Sequence, residues 1–329
     1  MLAPEFWHRN GVLAWALQPL AWLYGAMGRL RWAFARPWRA SVPVICVGNL
    51  VAGGAGKTPT ALAIGRALSR RGVEAHFLSR GHGGRLPGPV RVDTERHGVR
   101  DVGDEPLLLA AAAPAWVARD RAQGARAAIA AGAQAIVMDD GFQNPGLAKD
   151  LSLLVIDGAY GLGNGRVHPA GPLRETVLDG LARADAVIVV QSGETPAPLP
   201  PLGPLPLTAR LFPSTDALAL RGRRVVAFAG IGRPQRFFHT VRELGAELVG
   251  QQAFPDHHVF REDEIWELLE RARAQDAIAV TTAKDAVRLP PGARAMVTVI
   301  DVTLEFDHDA ALDGLLDQLF AAAPNPRAS

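Results

Sequence analysis

The chain has 329 residues, of which 48% are hydrophobic and 21% are charged. This length and composition exclude a disordered protein and allow about two domains, each with its own core. The formal net charge is only +2 and no RNA- or DNA-binding motif occurs, so nucleic acid is not an expected partner. Cys46 is the only cysteine, which excludes a disulfide framework, and its apolar surroundings favour a core role over a nucleophilic one.

The amino-terminal part of the chain is first apolar and then basic. Residues 11–28 carry no charge, and four arginines follow, at Arg29, Arg31, Arg36 and Arg39. This pattern favours a helix at an anionic membrane surface. A buried or partner-packing helix and a membrane-spanning helix are the alternatives, the last weakened by Pro19. No small-residue cleavage site precedes the next strand, so a signal peptide is not expected, and we predict a membrane-associating segment over residues 1–40.

A glycine-rich motif follows the first predicted strand, residues 42–47, and precedes a predicted helix, residues 60–70. Its residues are Gly53, Gly54, Ala55, Gly56, Lys57, Thr58 and Pro59. In a phosphate-binding loop, glycines let backbone N–H groups face the phosphates, a lysine reaches the β and γ oxygens, and a hydroxyl binds Mg²⁺. Only Val51 departs from the usual spacing of glycines, and a glycine-rich turn with an incidental lysine is the alternative. The motif predicts a P-loop for a nucleoside triphosphate and Mg²⁺.

Strands and helices alternate after this loop, which predicts a mostly parallel sheet with helices on both faces. The predicted strands are residues 73–79, 135–138, 153–156 and 186–190, and the predicted helices are residues 105–113 and 118–131. The second of these strands runs into Asp139 and Asp140, 81 residues past Thr58. A P-loop enzyme needs carboxylate charge near its Mg²⁺, so both are metal-ligand candidates, with a simple turn as the alternative.

Seven prolines lie between residues 196 and 213, which argues against a helix interior or a central strand there. We therefore predict a linker over residues 196–220, a P-loop domain over 41–195 and a second α/β domain over 221–329. In this second domain the predicted strands are residues 225–229, 277–281 and 297–302, and the predicted helices are residues 235–244, 264–274 and 311–322.

Three polar motifs are ambiguous from local sequence alone. Asp104 precedes Glu105 and Pro106, so it could be an ordinary helix N-cap as well as a functional carboxylate. The segment 256–258, Asp-His-His, could take part in catalysis, bind a metal or form a loop. The pair at 284–285, Lys-Asp, could recognise a nucleotide base or form a surface ion pair.

Taken together, these motifs resemble the tetraacyldisaccharide 4'-kinase family, the lipid A 4'-kinases of Gram-negative bacteria. The resemblance covers most of the chain, and the family's own loop also departs from the general P-loop pattern near Val51. In the first half it rests on residues 4–7, 47–50, 53–59, 78–81, 103–106, 139–143, 163–166 and 169–175. In the second half it rests on residues 227–232, 254–257 and 284–287.

The resemblance implies transfer of the γ-phosphoryl group of ATP, with Mg²⁺, to the 4'-hydroxyl of a tetraacylated glucosamine disaccharide 1-phosphate, a lipid A disaccharide precursor. Such an acceptor stays in the bilayer, so we expect a peripheral protein at the cytoplasmic face of the bacterial inner membrane that binds an anionic membrane surface as a monomer. The expected fold is α/β, a P-loop NTPase-like mostly parallel sheet with a second, smaller α/β domain and an amino-terminal apolar helix.

The resemblance also assigns roles to particular residues. It implies that Asp104 is the base for the sugar hydroxyl and that His257 is its partner. Lys57 is the third catalytic candidate, because phosphoryl transfer depends mainly on positioning and on stabilising charge on the phosphates. Because the first two lie in different predicted domains, catalysis would require the domains to close. The substrate-contact candidates are Asn49, Arg80, Gln143, Arg174 and Glu175. The family usually has histidine at the position of Asn144 and often tyrosine at that of His82, and no role is assigned to either residue here.

Two other functions fit part of the sequence. A membrane-associated P-loop ATPase switch of the partitioning or targeting type would share the variant loop and the strand-end aspartate. It would not account for Asp104, the segment around His257 or the second α/β unit. A soluble P-loop kinase or synthetase for a polar metabolite would leave the apolar amino terminus unexplained.

Overall fold

The computed structural model of the protein describes residues 4–191, 196–202 and 206–322. The strands in these residues are β1 (Val44–Gly48), β2 (Ala75–Ser79), β3 (Val90–Arg91), β4 (Ala115–Val117), β5 (Ala135–Asp139), β6 (Leu151–Asp157), β7 (Ala186–Gln191), β8 (Leu207–Pro213), β9 (Arg224–Ala229), β10 (Glu247–Ala253), β11 (Ile278–Thr282), β12 (Thr298–Ile300) and β13 (Val302–Phe306). The helices are α1 (Val12–Ala16), α2 (Gln18–Ala33), α3 (Lys57–Arg70), α4 (Val99–Val102), α5 (Asp104–Ala110), α6 (Arg121–Ala130), α7 (Val177–Leu181), α8 (Pro234–Glu243), α9 (Glu262–Ala274), α10 (Ala283–Ala286), α11 (Pro291–Arg294) and α12 (Asp309–Ala322). Short 3-10 helices span Glu5–His8 and Thr215–Leu220.

Nine strands form a large sheet in the order β13-β8-β7-β6-β1-β5-β2-β4-β3. The strands from β8 to β4 in this order run parallel, and the edge strands β13 and β3 pair antiparallel with their neighbours. In β1, Ile45 and Val47 face one apolar cluster and Val44 and Cys46 face the other. Helices cover both faces, so the strand is apolar at every position rather than alternating, and the predicted mostly parallel sheet is confirmed.

Four strands form a second, smaller sheet in the order β10-β9-β11-β12, with every pairing parallel. Phe238 of α8 packs in the cluster on one side of β9, and Leu268 of α9 packs in the cluster on the other side. The expectation of a second α/β unit is therefore confirmed.

The carboxyl-terminal part of the chain belongs to the large sheet, not to the small one. The predicted strand over residues 297–302 is in fact two strands separated by Asp301, because β12 pairs with β11 and β13 pairs with β8. Leu312 and Leu316 of α12 then pack in the core under the large sheet. The predicted domain boundary at 221–329 is thus corrected for residues 302–322, and the small sheet is an insertion between β8 and β13.

The proline-rich segment contains a strand that the prediction of a linker over 196–220 did not foresee. β8 lies between β7 and β13 and not at an edge of the sheet. Of the seven prolines only Pro213 falls within this strand, at its last position, where the missing N–H interrupts no long ladder. Residues 203–205 and 192–195 lie outside the described part of the chain.

The amino-terminal segment forms two helices instead of one continuous apolar helix, so that expectation is not confirmed. Helix α1 ends before Leu17, and α2 starts with Pro19 in its first turn, where a proline needs no hydrogen-bond acceptor. The small residues Ala14, Ala21 and Gly25 are the buried ones. Among the residues that the structure describes, no helix has both the length and the apolar character to cross a membrane.

Ten of the sixteen large apolar side chains that are exposed in the described chain lie between residues 12 and 34. They are Val12, Leu13, Trp15, Leu20, Trp22, Leu23, Tyr24, Met27, Leu30 and Phe34. A helix of a water-soluble protein normally buries its large apolar residues and exposes small or polar ones. Here the small residues pack on the protein and the large ones face outward, which is typical of an interaction surface.

The segment before α1 is attached to a loop next to the P-loop. Asn164 donates a hydrogen bond from its side chain to the carbonyl oxygen of Phe6 (3.2 Å), and its backbone N–H donates to that of Trp7 (2.7 Å). The indole of Trp7 donates to the carbonyl oxygen of Pro169 (3.2 Å). Three motifs that are far apart in the sequence, at residues 4–7, 163–166 and 169–175, therefore form one structural unit.

Candidate functional site

The glycine-rich loop connects the carboxyl end of β1 to the amino terminus of α3, at the edge of the sheet where ligands of parallel α/β proteins bind. Gly56 has φ = 87°, a left-handed conformation that favours glycine, and it immediately precedes the first helical residue, Lys57. The ammonium group of Lys57 lies 3.3 Å from the carbonyl oxygen of Gly53 and is almost buried. The loop therefore has the geometry of a P-loop, with free N–H groups at a helix amino terminus.

The register of the central strands brings Thr58 and Asp139 together although they are far apart in the sequence. Val47 of β1 pairs with Asp139 of β5, so the carboxylate lies beside the start of α3. The Thr58 hydroxyl donates a hydrogen bond to Oδ2 of Asp139 (2.9 Å). The other oxygen, Oδ1, is buried and has no hydrogen-bond partner among the described residues. Burial, with the charges of Glu105 and Asp140, raises the pKa of Asp139 to about 7.

Asp140 has a different environment from Asp139. Its Oδ1 accepts a hydrogen bond from Arg174 (2.8 Å) and lies 3.7 Å from the Lys57 ammonium group. Burial opposes ionisation of Asp140, but the charges of Lys57 and Arg174 outweigh it and lower the pKa. The two predicted metal-ligand candidates are therefore not equivalent: Asp139 faces Thr58, and Asp140 faces two cations.

A short antiparallel contact explains why the loop begins with Val51. This residue forms a β-bridge with Leu173, and the flanking N–H groups of Ala52 and Arg174 donate to the carbonyl oxygens of Pro172 (2.8 Å) and Leu50 (2.7 Å). The valine is thus the anchor that attaches the segment carrying Arg174 to the P-loop. Sequence spacing alone identified Val51 only as a departure from the pattern.

Four of the substrate-contact candidates form one hydrogen-bond network, in which Arg174 donates to Oε1 of Gln143 (3.3 Å). The Gln143 amide donates to the carbonyl oxygen of Asn49 (2.9 Å) and to Oε1 of Glu175 (3.0 Å). Arg183, which the sequence did not single out, is ion-paired with Glu175. Asn49 is fully buried and its amide donates to the carbonyl oxygen of Val51 (2.7 Å), so its contribution within the protein is to shape the loop.

Asp104 and His257 meet across the two sheets, as the resemblance implies. Nδ1 of the His257 ring lies 2.9 Å from Oδ2 of Asp104, which is the first residue of α5 and is 4% exposed. The N-cap of α5 is Gly103, so the alternative that Asp104 itself caps this helix is wrong. His257 has φ = 58°, which is uncommon for a residue with a side chain and requires support from its surroundings.

Two cations from the small-sheet unit also face Asp104. Lys284 Nζ lies 3.9 Å and Arg288 Nε 3.6 Å from Oδ2. Burial alone would raise the pKa of Asp104, but the hydrogen bond with His257 and the charges of Lys284, His257 and Arg288 lower it to about 2. Asp104 is therefore an ionised, hydrogen-bonded acceptor at neutral pH. Its neighbour Glu105 contributes to the raised pKa of Asp139, which shows that this contact lies close to the P-loop.

The structure also shows the surroundings of Arg80, Asn144 and His82. Arg80 is exposed after β2, and its charge, together with burial, lowers the pKa of Arg121 to about 10. Asn144 stabilises a turn, because its side chain accepts hydrogen bonds from the N–H groups of Gly146 and Leu147. The ring of His82 lies 6.1 Å from that of His257.

The alternative that Lys284 and Asp285 form a surface ion pair is wrong. Asp285 is completely buried and accepts hydrogen bonds from the N–H of Gly230 (2.9 Å) and the hydroxyl of Thr282 (2.6 Å). Lys284 extends in the other direction, to Asp104 and to Glu105 (3.7 Å).

Two groups of charged residues at the junction of the units were missed from the sequence. The first consists of Arg288 alone. The second consists of Arg233 and Arg236, which form ion pairs with Asp157 at the end of β6 (3.0 Å and 3.2 Å). Arginines are the commonest charged side chains of this chain, so no local pattern distinguished these three. Only Arg288 carries a weak signal, because it follows the motif at 284–287 directly.

The residues present fit a Mg²⁺–nucleotide complex. In the described part of the chain, no group of three or more His, Cys, Asp and Glu side chains could hold a metal ion without other ligands. Mg²⁺ at phosphoryl-transfer sites usually takes only one or two protein oxygens and completes its shell with water and phosphate oxygens. Thr58 and Asp139 offer such oxygens, and the unpartnered Oδ1 of Asp139 would gain a partner.

A glycine-rich loop between a buried strand and a helix, beside a neighbouring strand that ends in aspartates, defines a P-loop nucleotide-binding protein of the α/β class. The family model described as Tetraacyldisaccharide-1-P 4'-kinase matches residues 13–321. The chain belongs to this kinase family.

Named relatives support this assignment. The chain is 56% identical over 324 residues to the tetraacyldisaccharide 4'-kinase of Rhodospirillum rubrum, a match that covers 97% of this chain and 98% of the relative. It is also 56% identical over 328 residues to the enzyme of Rhodospirillum centenum, covering 98% and 97% respectively. The crystal structure of LpxK from Aquifex aeolicus in complex with ATP is similar in fold, with a TM-score of 0.73 and 26% identity, over 94% of this chain and 100% of that one.

The lowered pKa of Asp104 predicts an acid-dependent loss of stability. A carboxyl group whose pKa is lower in the folded state stabilises the protein above its unfolded pKa, and this contribution disappears as pH falls from about 4 to about 2. We expect the free energy of unfolding of the wild type to fall by about 2 kcal/mol over this range. The variant Asp104→Asn lacks the ionisable group and should not show this loss. Urea unfolding at a series of pH values measures it. Exposed Asp216→Asn is the control, and equal pH slopes in the wild type and Asp104→Asn would contradict the prediction.

Proposed function

We propose that this chain transfers the γ-phosphoryl group of ATP to the 4'-hydroxyl of a tetraacylated glucosamine disaccharide 1-phosphate at a membrane surface. The contact between Asp104 and His257 carries the proposal. It places an ionised carboxylate from one sheet and an imidazole from the other at a junction beside the P-loop. A kinase with a hydroxyl acceptor needs such a group, whereas a partitioning or targeting ATPase activates water or a partner protein and gives this contact no role.

In this proposal the P-loop residues 53–59 bind the nucleotide phosphates. Lys57 exchanges its contacts with the Gly53 carbonyl and Asp140 for the β and γ oxygens, which offer more negative charge. Thr58 and Asp139 would hold Mg²⁺, which neutralises charge that develops on the phosphates. The ion pair of Arg174 with Asp140 supports a role of Arg174 at the nucleotide, with Asp140 as the group that positions it.

The proton of the sugar hydroxyl goes to Asp104. As the hydroxyl oxygen forms its bond to the γ-phosphorus and the bond from phosphorus to the β,γ-bridging oxygen breaks, the hydroxyl proton moves to the carboxylate. A carboxylate with so low a pKa is a weak base, but proton transfer late in a loose transition state requires proximity and the ionised form. His257 orients the carboxylate, and the two units bring both groups to the acceptor.

We further propose that the apolar face of α1 and α2 binds the bilayer in which the acceptor lies. The outward-facing tryptophans and leucines support it, as do Arg29, Arg31, Arg36 and Arg39 on the same segment. A cavity of about 500 Å³ between α2 and α7 is lined by Trp22 and Leu178 and extends the apolar surface onto the kinase unit. We also propose that the protein is a monomer and is attached peripherally to the cytoplasmic face of the inner membrane.

The reaction is tested with ATP, Mg²⁺ and detergent-dispersed disaccharide 1-phosphate, and a doubly phosphorylated lipid is the expected product. Lys57→Ala should lower turnover by about 10²- to 10³-fold, because charge on the phosphates loses its main side-chain partner. Arg70→Ala, at the exposed end of α3, is the control for the helix itself. ATP hydrolysis without any phosphorylated lipid would favour the ATPase alternative.

The base assignment predicts non-additive losses. Asp104→Asn and His257→Ala should each lower turnover while ATP affinity stays close to the wild-type value, because neither residue lies in the P-loop. The double variant should be little worse than the poorer single variant, since the two side chains act as one unit. Turnover and ATP affinity of all three variants are measured. Full activity of Asp104→Asn, or losses that multiply in the double variant, would refute the pair.

The membrane proposal predicts weaker attachment when exposed apolar side chains are replaced. Because Ala14, Ala21 and Gly25 pack on the protein, substitution is a cleaner test than deletion of the helices. Trp22→Ser, Met27→Ser and Leu30→Ser combined should reduce co-sedimentation with anionic liposomes by about tenfold or more. Leu218→Ser, at a residue 60% exposed elsewhere, is the control. ATP binding should not change, and unaltered sedimentation of the triple variant would exclude this face.

A further inference from the structure

Arg288 follows α10 in the small-sheet unit, and its side chain is 1% exposed. Every nitrogen of the guanidinium donates a hydrogen bond. Nε donates to the carbonyl oxygen of Lys284 (3.1 Å), Nη1 to those of Gly230 (3.0 Å) and His258 (3.1 Å), and Nη2 to that of Gly230 (3.0 Å) and to Oδ1 of Asp285 (2.9 Å). A buried group with such complete pairing holds several backbone segments at fixed distances from one another.

Two of the groups that accept hydrogen bonds from Arg288, on Gly230 and His258, adjoin His257. Gly230 directly follows β9, and its carbonyl oxygen also accepts a hydrogen bond from the backbone N–H of His257 (3.2 Å). His258 is the next residue along the chain. The approach is close, because a Cβ added at Gly230 would lie 3.1 Å from Asp285 and 3.2 Å from the carbonyl oxygen of Pro255. The guanidinium thus supports the loop on which His257 adopts its left-handed conformation.

The same guanidinium is a charge beside the candidate base. Its Nε lies 3.6 Å from Oδ2 of Asp104, beyond hydrogen-bond distance but close enough for a strong Coulomb interaction. The other groups that face this carboxylate are His257, whose side chain is 42% exposed, and Lys284, which is 25% exposed. Arg288 is therefore the cation that solvent screens least, and Glu105 is the neighbouring negative charge.

We propose that Arg288 is a positioning residue of the phosphoryl transfer: it holds the His257 loop against Asp104 across the two sheets and supplies the buried positive charge that faces the Asp104 carboxylate. The inference rests on the proposed roles of Asp104 and His257. Asp285 is the counter-ion that keeps Arg288 in place, since Asp285 is itself held by Gly230 and Thr282. Arg288 acts through Asp104 and His257 and does not itself contact the reacting atoms.

The first test separates the geometry from the charge. Arg288→Lys keeps the charge but cannot reach the same four carbonyl and carboxylate groups. A small displacement of His257 should then lower kcat by about tenfold to hundredfold, with the KM for ATP close to the wild-type value. Arg273→Lys, at an exposed position of α9, is the matched control and should leave kcat unchanged. Wild-type kcat in Arg288→Lys would overturn the proposal.

The second test uses the pH profile of kcat. In Arg288→Gln the buried carboxylate loses one of the charges that lower its pKa, so the acid limb should move to higher pH. Arg288→Lys should keep the limb near its wild-type position, although its plateau is lower. A residue needed only for folding would reduce the yield or the melting temperature and leave the limb in place. An unmoved limb in Arg288→Gln would therefore refute the electrostatic part of the proposal.

A third measurement distinguishes this inference from the function on which it rests. Arg288→Lys added to Asp104→Asn should cost no more activity than Asp104→Asn alone, and a multiplicative loss would show that Arg288 acts by another route. If the wild type forms no doubly phosphorylated lipid, the proposed function fails. If the wild type is active and Asp104→Asn impaired while Arg288→Lys is normal, only the inference about Arg288 fails.

Discussion

The organisation of this protein depends on one buried carboxylate that faces cations from another sheet. Asp104 begins a helix of the large-sheet unit, yet His257, Lys284 and Arg288 around it all come from the inserted unit. An ionised carboxylate is costly to bury without such partners, so the contact both stabilises the junction and keeps the carboxylate ionised. The ion pairs of Arg233 and Arg236 with Asp157 form a second attachment on another strand end. Both attachments hold the inserted unit against the large-sheet unit.

The nucleotide side of the site depends on strand register and not on long-range charge. Because β1 and β5 are parallel neighbours, a carboxylate at the end of one strand reaches the hydroxyl at the start of the helix that follows the other. Burial and the charges of Glu105 and Asp140 raise the pKa of Asp139, whereas the charges of Lys57 and Arg174 outweigh burial at Asp140 and lower its pKa. Although the two aspartates are adjacent in the sequence, Asp139 is thus suited to a metal ion and Asp140 to positively charged side chains.

The amino-terminal helices couple the proposed membrane contact to this site through backbone hydrogen bonds. The segment at residues 4–7 is bound by the loop that contains Asn164, and the following segment pairs with the P-loop through Leu173 and Val51. The exposed apolar side chains of α1 and α2 are thus linked to the loops beside the P-loop. The inverted pattern of α2, with small residues inward and large ones outward, has no other evident use in the described chain.

The sequence by itself determined the local features of this protein. A glycine-rich turn between an apolar strand and a helix needs no distant contact to be recognised, and the residues of the P-loop and the strand that ends in Asp139 follow from such local rules. The pairing of Asp104 with His257 was available only through resemblance to a family, because no local pattern links residues so far apart. The tertiary structure alone decided that β13 and α12 return to the large sheet, that Val51 anchors Arg174, and that Arg288 lies beneath His257. Strand pairing and the burial of one arginine among many depend on which segments meet in space, and that information is spread over the whole chain.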